Sequence, residues 1–170
     1  AKDFNLLSTE NNTISLDDVR GEKGTLIMFI CNHCPYVKAV IKEIVQDMKF
    51  LESLGIKSAA IMSNDAKNYP EDSFENMKTF SKQHDFSFPY LIDDTQKVAK
   101  EYNAVCTPDF FGYNKNLELQ YRGRIRELRD HKPVATGDSE LRIAMKLVAV
   151  SGKGPAKQTP SMGCSIKWFK

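Results

Sequence analysis

From Leu26 to Cys31 every residue is apolar: Leu26-Ile27-Met28-Phe29-Ile30-Cys31. Apolarity at consecutive rather than alternate positions marks a strand buried on both faces, as in the middle of a parallel sheet. A helical pattern follows directly. Val37, Val40, Ile41, Ile44, Met48 and Leu51 recur every three or four residues, with Lys38, Lys42, Glu43, Asp47 and Lys49 between them. Gly55 suits a left-handed C-cap, and Ile56 to Met62 reads as a second buried strand. Strand, helix and strand together predict a right-handed parallel crossover.

The remaining elements build on that unit. Ahead of it, Thr13 to Leu16 alternates and Leu16-Asp17-Asp18-Val19 suggests a turn of helix. Behind it, Ser63 to Asn68 is polar and loop-like. Pro70 suits a first helical turn, and Phe74, Met77 and Phe80 predict a helix running to about His84. Phe88 to Ile92 reads as a short strand and Thr95 to Tyr102 as a helix with Val98 and Ala99 inward. Phe110 to Tyr113, the turn Asn114-Lys115-Asn116, and the alternating Leu117, Leu119 and Tyr121 predict a β-hairpin with one buried face. Asp138 or Ser139 caps a last helix whose inward positions are Leu141, Ala144, Met145 and Val148. From Ser151 the period is lost among Gly152, Gly154, Pro155, Pro160 and Gly163. Ile166, Trp168 and Phe169 near the terminus are each worth roughly 1.5–3 kcal/mol on burial, so this tail is expected to pack back. The expected architecture is α/β: a central mixed sheet flanked by helices, then a C-terminal hairpin, helix and extended tail. Residues 1–170 are expected to form a single domain, 151–170 being its tail.

Composition narrows the function classes. Lys plus Arg is 24 against 22 Asp plus Glu, a net charge of +2, which is no electrostatic footprint for nucleic acid or an anionic membrane. The longest apolar stretch is far short of the ~20 residues a membrane span needs. Ala1-Lys2-Asp3-Phe4 opens abruptly, so a preceding leader is expected to have been removed if the protein is exported; otherwise its sparse cysteines fit the cytoplasm. Arg122, Arg124, Arg126 and Arg129, interrupted by Glu127 and Asp130, read as a solvated, salt-bridged edge. His84 and His131 are lone histidines expected at the surface.

The cysteines carry the chemistry. Cys31 and Cys34 form one C-x-x-C; Cys106 and Cys164 are single and distant. The pair lies where a buried strand ends and a helix begins, the edge at which catalytic groups of open α/β sheets gather. A helix N-terminus offers unpaired N–H groups and partial positive charge, both of which favour a thiolate. Two cysteines at this spacing can close a small disulfide, one attacking a foreign disulfide and the other resolving it. Cys31, at the strand end, is expected to be the exposed, more acidic, attacking thiol. A cationic His33 would favour the thiolate over the disulfide. Pro35 removes an N–H that the first turn leaves unpaired anyway. Two rival readings are packed, unreactive cysteines and a zinc site, for which one C-x-x-C supplies two of about four ligands; His33, Cys106, Cys164 or His131 would have to complete it.

Phe29-Ile30-Cys31-Asn32-His33-Cys34-Pro35-Tyr36-Val37, Val105-Cys106-Thr107-Pro108-Asp109-Phe110-Phe111 and Gly163-Cys164-Ser165-Ile166-Lys167-Trp168 together resemble the thioredoxin-like, peroxiredoxin-related family grouped with alkyl hydroperoxide reductase and thiol-specific antioxidant proteins. The resemblance extends over nearly the whole chain. It implies a thioredoxin fold, with Thr107-Pro108 as a cis peptide opposite the C-x-x-C and Thr107 offering its backbone to an extended substrate. Peroxiredoxins bind peroxide through Pro-x-x-x-Thr-x-x-Cys and a later Arg. If Cys34 matches the peroxidatic cysteine, Cys31 replaces the Thr, Ile27 replaces the Pro, and the Arg is missing near Cys106 to Pro108. That departure favours disulfide exchange over efficient peroxide reduction.

The expected function is thiol–disulfide exchange in cell redox homeostasis. Cys31 and Cys34 are the catalytic pair, His33 tunes them, and Thr107 and Pro108 shape the substrate groove. Cys106 and Cys164 are candidate additional redox thiols. Electrons pass through the protein's own sulfurs, so no cofactor and no metal are expected. The expected partners are protein or small-molecule disulfides and a thiol reductant not named by the sequence, with no nucleic acid and no membrane. The alternatives are a thiol-dependent peroxidase acting on hydroperoxides and a thiol metal-binding module.

Overall fold

A computed structural model describes residues 1–170. In chain order the elements are β1 (Asn5–Ser8), β2 (Thr13–Ser15), β3 (Gly24–Phe29), α1 (Pro35–Ser53), β4 (Ile56–Met62), α2 (Phe74–Gln83), β5 (Tyr90–Ile92) and α3 (Lys97–Tyr102). The second half adds β6 (Cys106–Thr107), β7 (Asp109–Asn114), β8 (Leu119–Gly123), β9 (Leu128–Arg129), β10 (Lys132–Pro133), α4 (Glu140–Ser151) and β11 (Cys164–Ser165). Seven strands form one mixed sheet in the order β2-β1-β5-β4-β3-β7-β8. β3, β4 and β5 run parallel, and antiparallel strands extend both edges.

The doubly buried strand organises two cores. Leu26, Met28 and Ile30 join α1, α2 and α4 on one face, whereas Ile27 and Phe29 join α3, Phe4, Leu16 and Val19 on the other. Every residue of β3 is buried, as its unbroken apolarity requires. Gly55 takes φ +86° after α1, the left-handed geometry expected of that position.

Four expectations about local structure are corrected. The helix expected from Pro70 is broken: Pro70–Asp72 is a single 3-10 turn, and α2 begins after Ser73, whose hydroxyl accepts from Asn76 N–H. The N-terminal hairpin of β1 and β2 includes a strand, Asn5–Ser8, whose polar ends mask its pattern. The Leu117, Leu119, Tyr121 alternation does not share one face. Leu117 lies in the turn at φ +61°. A register shift then pairs Leu119 with Tyr113 but Tyr121 with Gly112. Because Gly112 and Tyr113 are adjacent and so face opposite sides, the bulge sends Tyr121 into the core and leaves Leu119 half exposed. In the tail only Ile166 is buried; Trp168 and Phe169 stay substantially exposed. Backbone bonds hold that end instead: Lys167 N–H to Asn64 Oδ1 at 2.9 Å and Asp65 N–H to the Lys167 carbonyl at 2.8 Å.

The helix over β3 is locked to α4 by a buried carboxylate. Ser139 caps α4, accepting from Arg142 N–H at 2.9 Å while donating to Asp47 Oδ2 at 2.6 Å; Arg142 Nε donates to Asp47 Oδ1 at 2.8 Å. Ser139→Ala removes the cap and leaves one oxygen of a buried carboxylate short of a partner. The expected loss is about 1–3 kcal/mol of unfolding free energy, read by urea denaturation with an unchanged slope; a change under a few tenths would contradict the clamp.

Candidate active site

Cys31 follows the C-terminal end of β3, and Cys34 is the N-cap of α1 with Pro35 at the first helical position. The Thr107-Pro108 peptide is cis and faces the pair. In its protonated form the Cys34 thiol donates to the Thr107 carbonyl at 3.4 Å, and Cys31 Sγ lies 3.4 Å from Thr107 Oγ1. All four cysteines are free thiols.

The two sulfurs are not equivalent. Cys34 Sγ is held well below the usual thiol range, chiefly because Cys31 S–H donates to it; the Cys164 thiol and the Val37 and Cys164 N–H groups add to this against the cost of burial. Cys31 is pushed up by donating to Cys34, by burial and by the charge of Asp72. Cys31 is expected to be the exposed and more acidic sulfur; it is not exposed, and its surroundings favour the thiolate on Cys34 instead. Both sulfurs are buried, Cys31 at 1% and Cys34 at 0% exposure. The helix-terminal position collects the backbone donors, and it belongs to Cys34 rather than to the residue that ends the strand.

Behind the pair lies a polar network that the sequence did not signal. Asp72, fully buried, accepts from Asn32 N–H at 2.8 Å and from Asn64 Nδ2 at 3.0 Å. Tyr90 O–H donates to Asn32 Oδ1 at 2.8 Å. His33 Nδ1 lies 2.7 Å from Asp72 Oδ2, a close approach rather than an aligned hydrogen bond. The ring stacks parallel to Tyr69 with centroids 6.2 Å apart. Although His33 precedes Cys34 in the chain, it is Cys31 Sγ, a ring nitrogen of His33 and an Asp72 oxygen that lie within 4.8 Å of one another. Asp72 comes from the 3-10 turn after Pro70, where the residue pattern suggested only a helix start.

The other candidates are dispersed. Cys106 is buried, donates to the Pro108 carbonyl at 3.7 Å, and has its thiol pushed up to about 12 by burial and Asp109. Cys164 lies on β11 directly opposite Thr107. His131, proposed as a zinc ligand, packs edge-on against Tyr36 at 4.8 Å. The nearby metal-type donors are Cys31, His33 and Asp72, three where a structural zinc site uses four. The arginines are engaged elsewhere. Arg122 reaches Asp109 at 3.5 Å and lies over the Phe111 ring, Arg124 pairs with Glu140 at 3.0 Å, and Arg126 Nε donates to Glu43 at 2.7 Å. A small pocket beside the cis peptide is lined by Tyr36, Val40, Pro108, Arg124, Arg126 and Met162 among others.

The model of the AhpC/TSA family matches residues 1–128. The chain belongs to the AhpC/TSA family. A crystal structure of an uncharacterized conserved protein from Geobacillus kaustophilus is 43% identical, with a TM-score of 0.94 over 99% of this chain and 90% of that one. The sporulation thiol-disulfide oxidoreductase A of Bacillus subtilis (strain 168) is 26% identical over 117 residues, 69% of this chain and 67% of its own. A thiol:disulfide interchange protein of the thioredoxin family from Chlorobium tepidum TLS shares the fold, at 15% identity and a TM-score of 0.63 over 88% and 92% of the two chains. The fold is thus thioredoxin-like, and the chain is a thioredoxin-like redoxin. No helix in it is long and apolar enough to cross a membrane.

The depressed Cys34 thiol has a pH signature. Its stabilisation of the reduced fold is present above the ordinary thiol range and is lost as pH falls through the lowered value. Thiolate absorbance of the reduced protein should therefore persist well below neutral pH. It should vanish in Cys34→Ser, and in Cys31→Ala, which lacks the principal donor, it should titrate at higher pH. A titration like that of a free thiol in the wild type would contradict the geometry.

Proposed function

We propose that this redoxin exchanges two electrons with external disulfides through a Cys34 thiolate that Cys31 resolves. The protein is an oxidoreductase of the thioredoxin-like class, with disulfide substrates and a thiol reductant. The observation that carries the assignment of roles is the convergence of the Cys31 and Cys164 thiols and two backbone N–H groups on one sulfur at the α1 N-terminus. Such donors favour a thiolate before any substrate arrives.

The chemistry closes on the protein's own sulfurs. Cys34 thiolate accepts one sulfur of an incoming disulfide as the old S–S bond breaks and the other sulfur leaves as a thiolate. Cys31 then loses its proton and attacks Cys34 Sγ, forming the Cys31–Cys34 disulfide and releasing the second substrate thiolate. His33, held against Asp72 and near Cys31, takes that proton. Thr107 and Pro108 form the wall facing the pair, and residues 1–170 act as one redox domain. A thiol reductant reverses the steps. The substrate class is protein or small-molecule disulfides; the near-neutral charge supports neither nucleic acid nor membrane as a partner. The reduction potential decides between a reductase working in the cytoplasm and an oxidase working outside it. Mass spectrometry of mildly oxidised, alkylated protein should show a Cys31–Cys34 disulfide, and Cys31→Ser or Cys34→Ser should each lower steady-state turnover more than about a hundredfold. Two free thiols in the oxidised, folded protein would overturn the proposal.

A peroxidase reading has one observation in its favour: a depressed thiol at a helix start followed by Pro35 also suits attack on an O–O bond. Against it, Cys31 occupies the place of the peroxiredoxin Thr and Arg122 is tied to Asp109. Loss of even one preorganised donor costs roughly a hundredfold or more, so hydrogen peroxide should oxidise Cys34 at least that much more slowly than a dedicated peroxidase. Stopped-flow oxidation at a rate matching such an enzyme would reinstate this reading.

A further inference from the structure

The catalytic pair is sealed. Cys31, Cys34 and Cys106 are buried, and Cys164 is the only cysteine that reaches solvent. What seals it is the tail. β11 pairs antiparallel with β6 so that Cys164 faces Thr107 and Ser165 faces Cys106. Ile166 N–H continues the pairing to the Val105 carbonyl at 3.1 Å. Gly163 crosses so close to Thr107 that a Cβ there would stand 2.1 Å from its carbonyl oxygen. The backbone edge beside the cis peptide is therefore already occupied by a strand of the same chain. An extended external substrate has no edge left to pair with, and the Cys164 thiol and N–H are among the groups that lower the Cys34 thiol. Cys164 also packs against the core cluster that holds Cys31 and Cys34.

We infer that Cys164 is a third catalytic sulfur, the outward-facing relay through which external disulfides exchange with the buried Cys31–Cys34 pair. The inference rests on the dithiol–disulfide cycle proposed above and puts attack by Cys164 in place of the direct attack of Cys34 on the external disulfide. Three exchanges carry it. Cys164, its proton lost to solvent, attacks an external disulfide; a Cys164–substrate disulfide forms and one substrate thiolate leaves. The Cys34 thiolate attacks Cys164 Sγ; a Cys34–Cys164 disulfide forms and the second substrate thiolate leaves. Cys31, its proton lost to His33, attacks Cys34 Sγ; the Cys31–Cys34 disulfide forms and Cys164 departs as a thiolate. Two electrons pass to the substrate, and each step breaks one S–S bond and makes one. The favoured substrates are small or flexible disulfides that meet a partly exposed sulfur, not strands that need the Thr107 edge.

The test uses the full chain and oxidised glutathione. In Cys31→Ala the last step is blocked, so peptide mapping should find a Cys34–Cys164 disulfide. Cys34 joined to glutathione with Cys164 free would overturn the relay. In Cys164→Ser, where a hydroxyl can still donate to Cys34, closure of the Cys31–Cys34 disulfide should slow by about tenfold or more, while the fraction closed at equilibrium in a glutathione buffer stays that of the wild type. An unchanged rate would overturn the relay. Wild-type protein that closes no Cys31–Cys34 disulfide even at equilibrium would overturn the underlying cycle instead, so the two failures are distinguishable.

Discussion

A strand with no solvent-facing side is the constraint on which this structure depends. Once Leu26 to Ile30 project into two cores, helices have to cover both faces, and the chain leaves β3 into α1 at the only edge where backbone is free of the sheet. The active sulfurs are placed by that exit. Cys31 stands on the last reach of the strand and Cys34 on the first residue that caps the helix, so one loop of two residues sets the donors of a helix terminus against a thiol that can close a ring with it.

The chemistry then follows from unequal company. Cys34 receives hydrogen bonds from its neighbours, whereas Cys31 gives one away and lies near the buried charge of Asp72. A carboxylate with no exposed surface is costly unless satisfied; Asn32 and Asn64 hydrogen-bond to Asp72 while His33 lies against it, and in doing so they fix the loop that carries both cysteines. The same residues thus stabilise the loop geometry and differentiate the thiols. Disulfide exchange needs that asymmetry, because one sulfur has to attack and the other has to wait.

The tail completes the site at the cost of closing it. The backbone edge beside the cis proline is filled by the chain's own β11. The tail is held by main-chain bonds to Val105 and Asp65, by the Asn64 side-chain oxygen and by one buried anchor, Ile166, rather than by a hydrophobic surface. Hydrogen bonds of this kind satisfy a strand edge and also put Cys164 in register with Thr107, whose carbonyl lies 3.4 Å from Cys34 Sγ.

The sequence by itself determined the parts with a local cause. Consecutive apolarity identified β3 and β4, the 3.6-residue period identified α1 and the inward face of α4, and Gly55 and Ser139 marked their ends. Cys31-x-x-Cys34 at a strand–helix junction marked the redox pair. Tertiary structure decided what depends on residues distant in the chain. A one-residue bulge against Gly112 sent Tyr121 inward and Leu119 outward, although their spacing is that of one face. Asp72, 41 residues beyond Cys31 in numbering, acquired meaning only when the turn after Pro70 folded over the loop. The ranking of the two thiols also lay outside sequence patterns, because a sulfur's acidity is set by which donors point at it, and two of those donors come from Cys164, brought in from the far end of the chain by strand pairing.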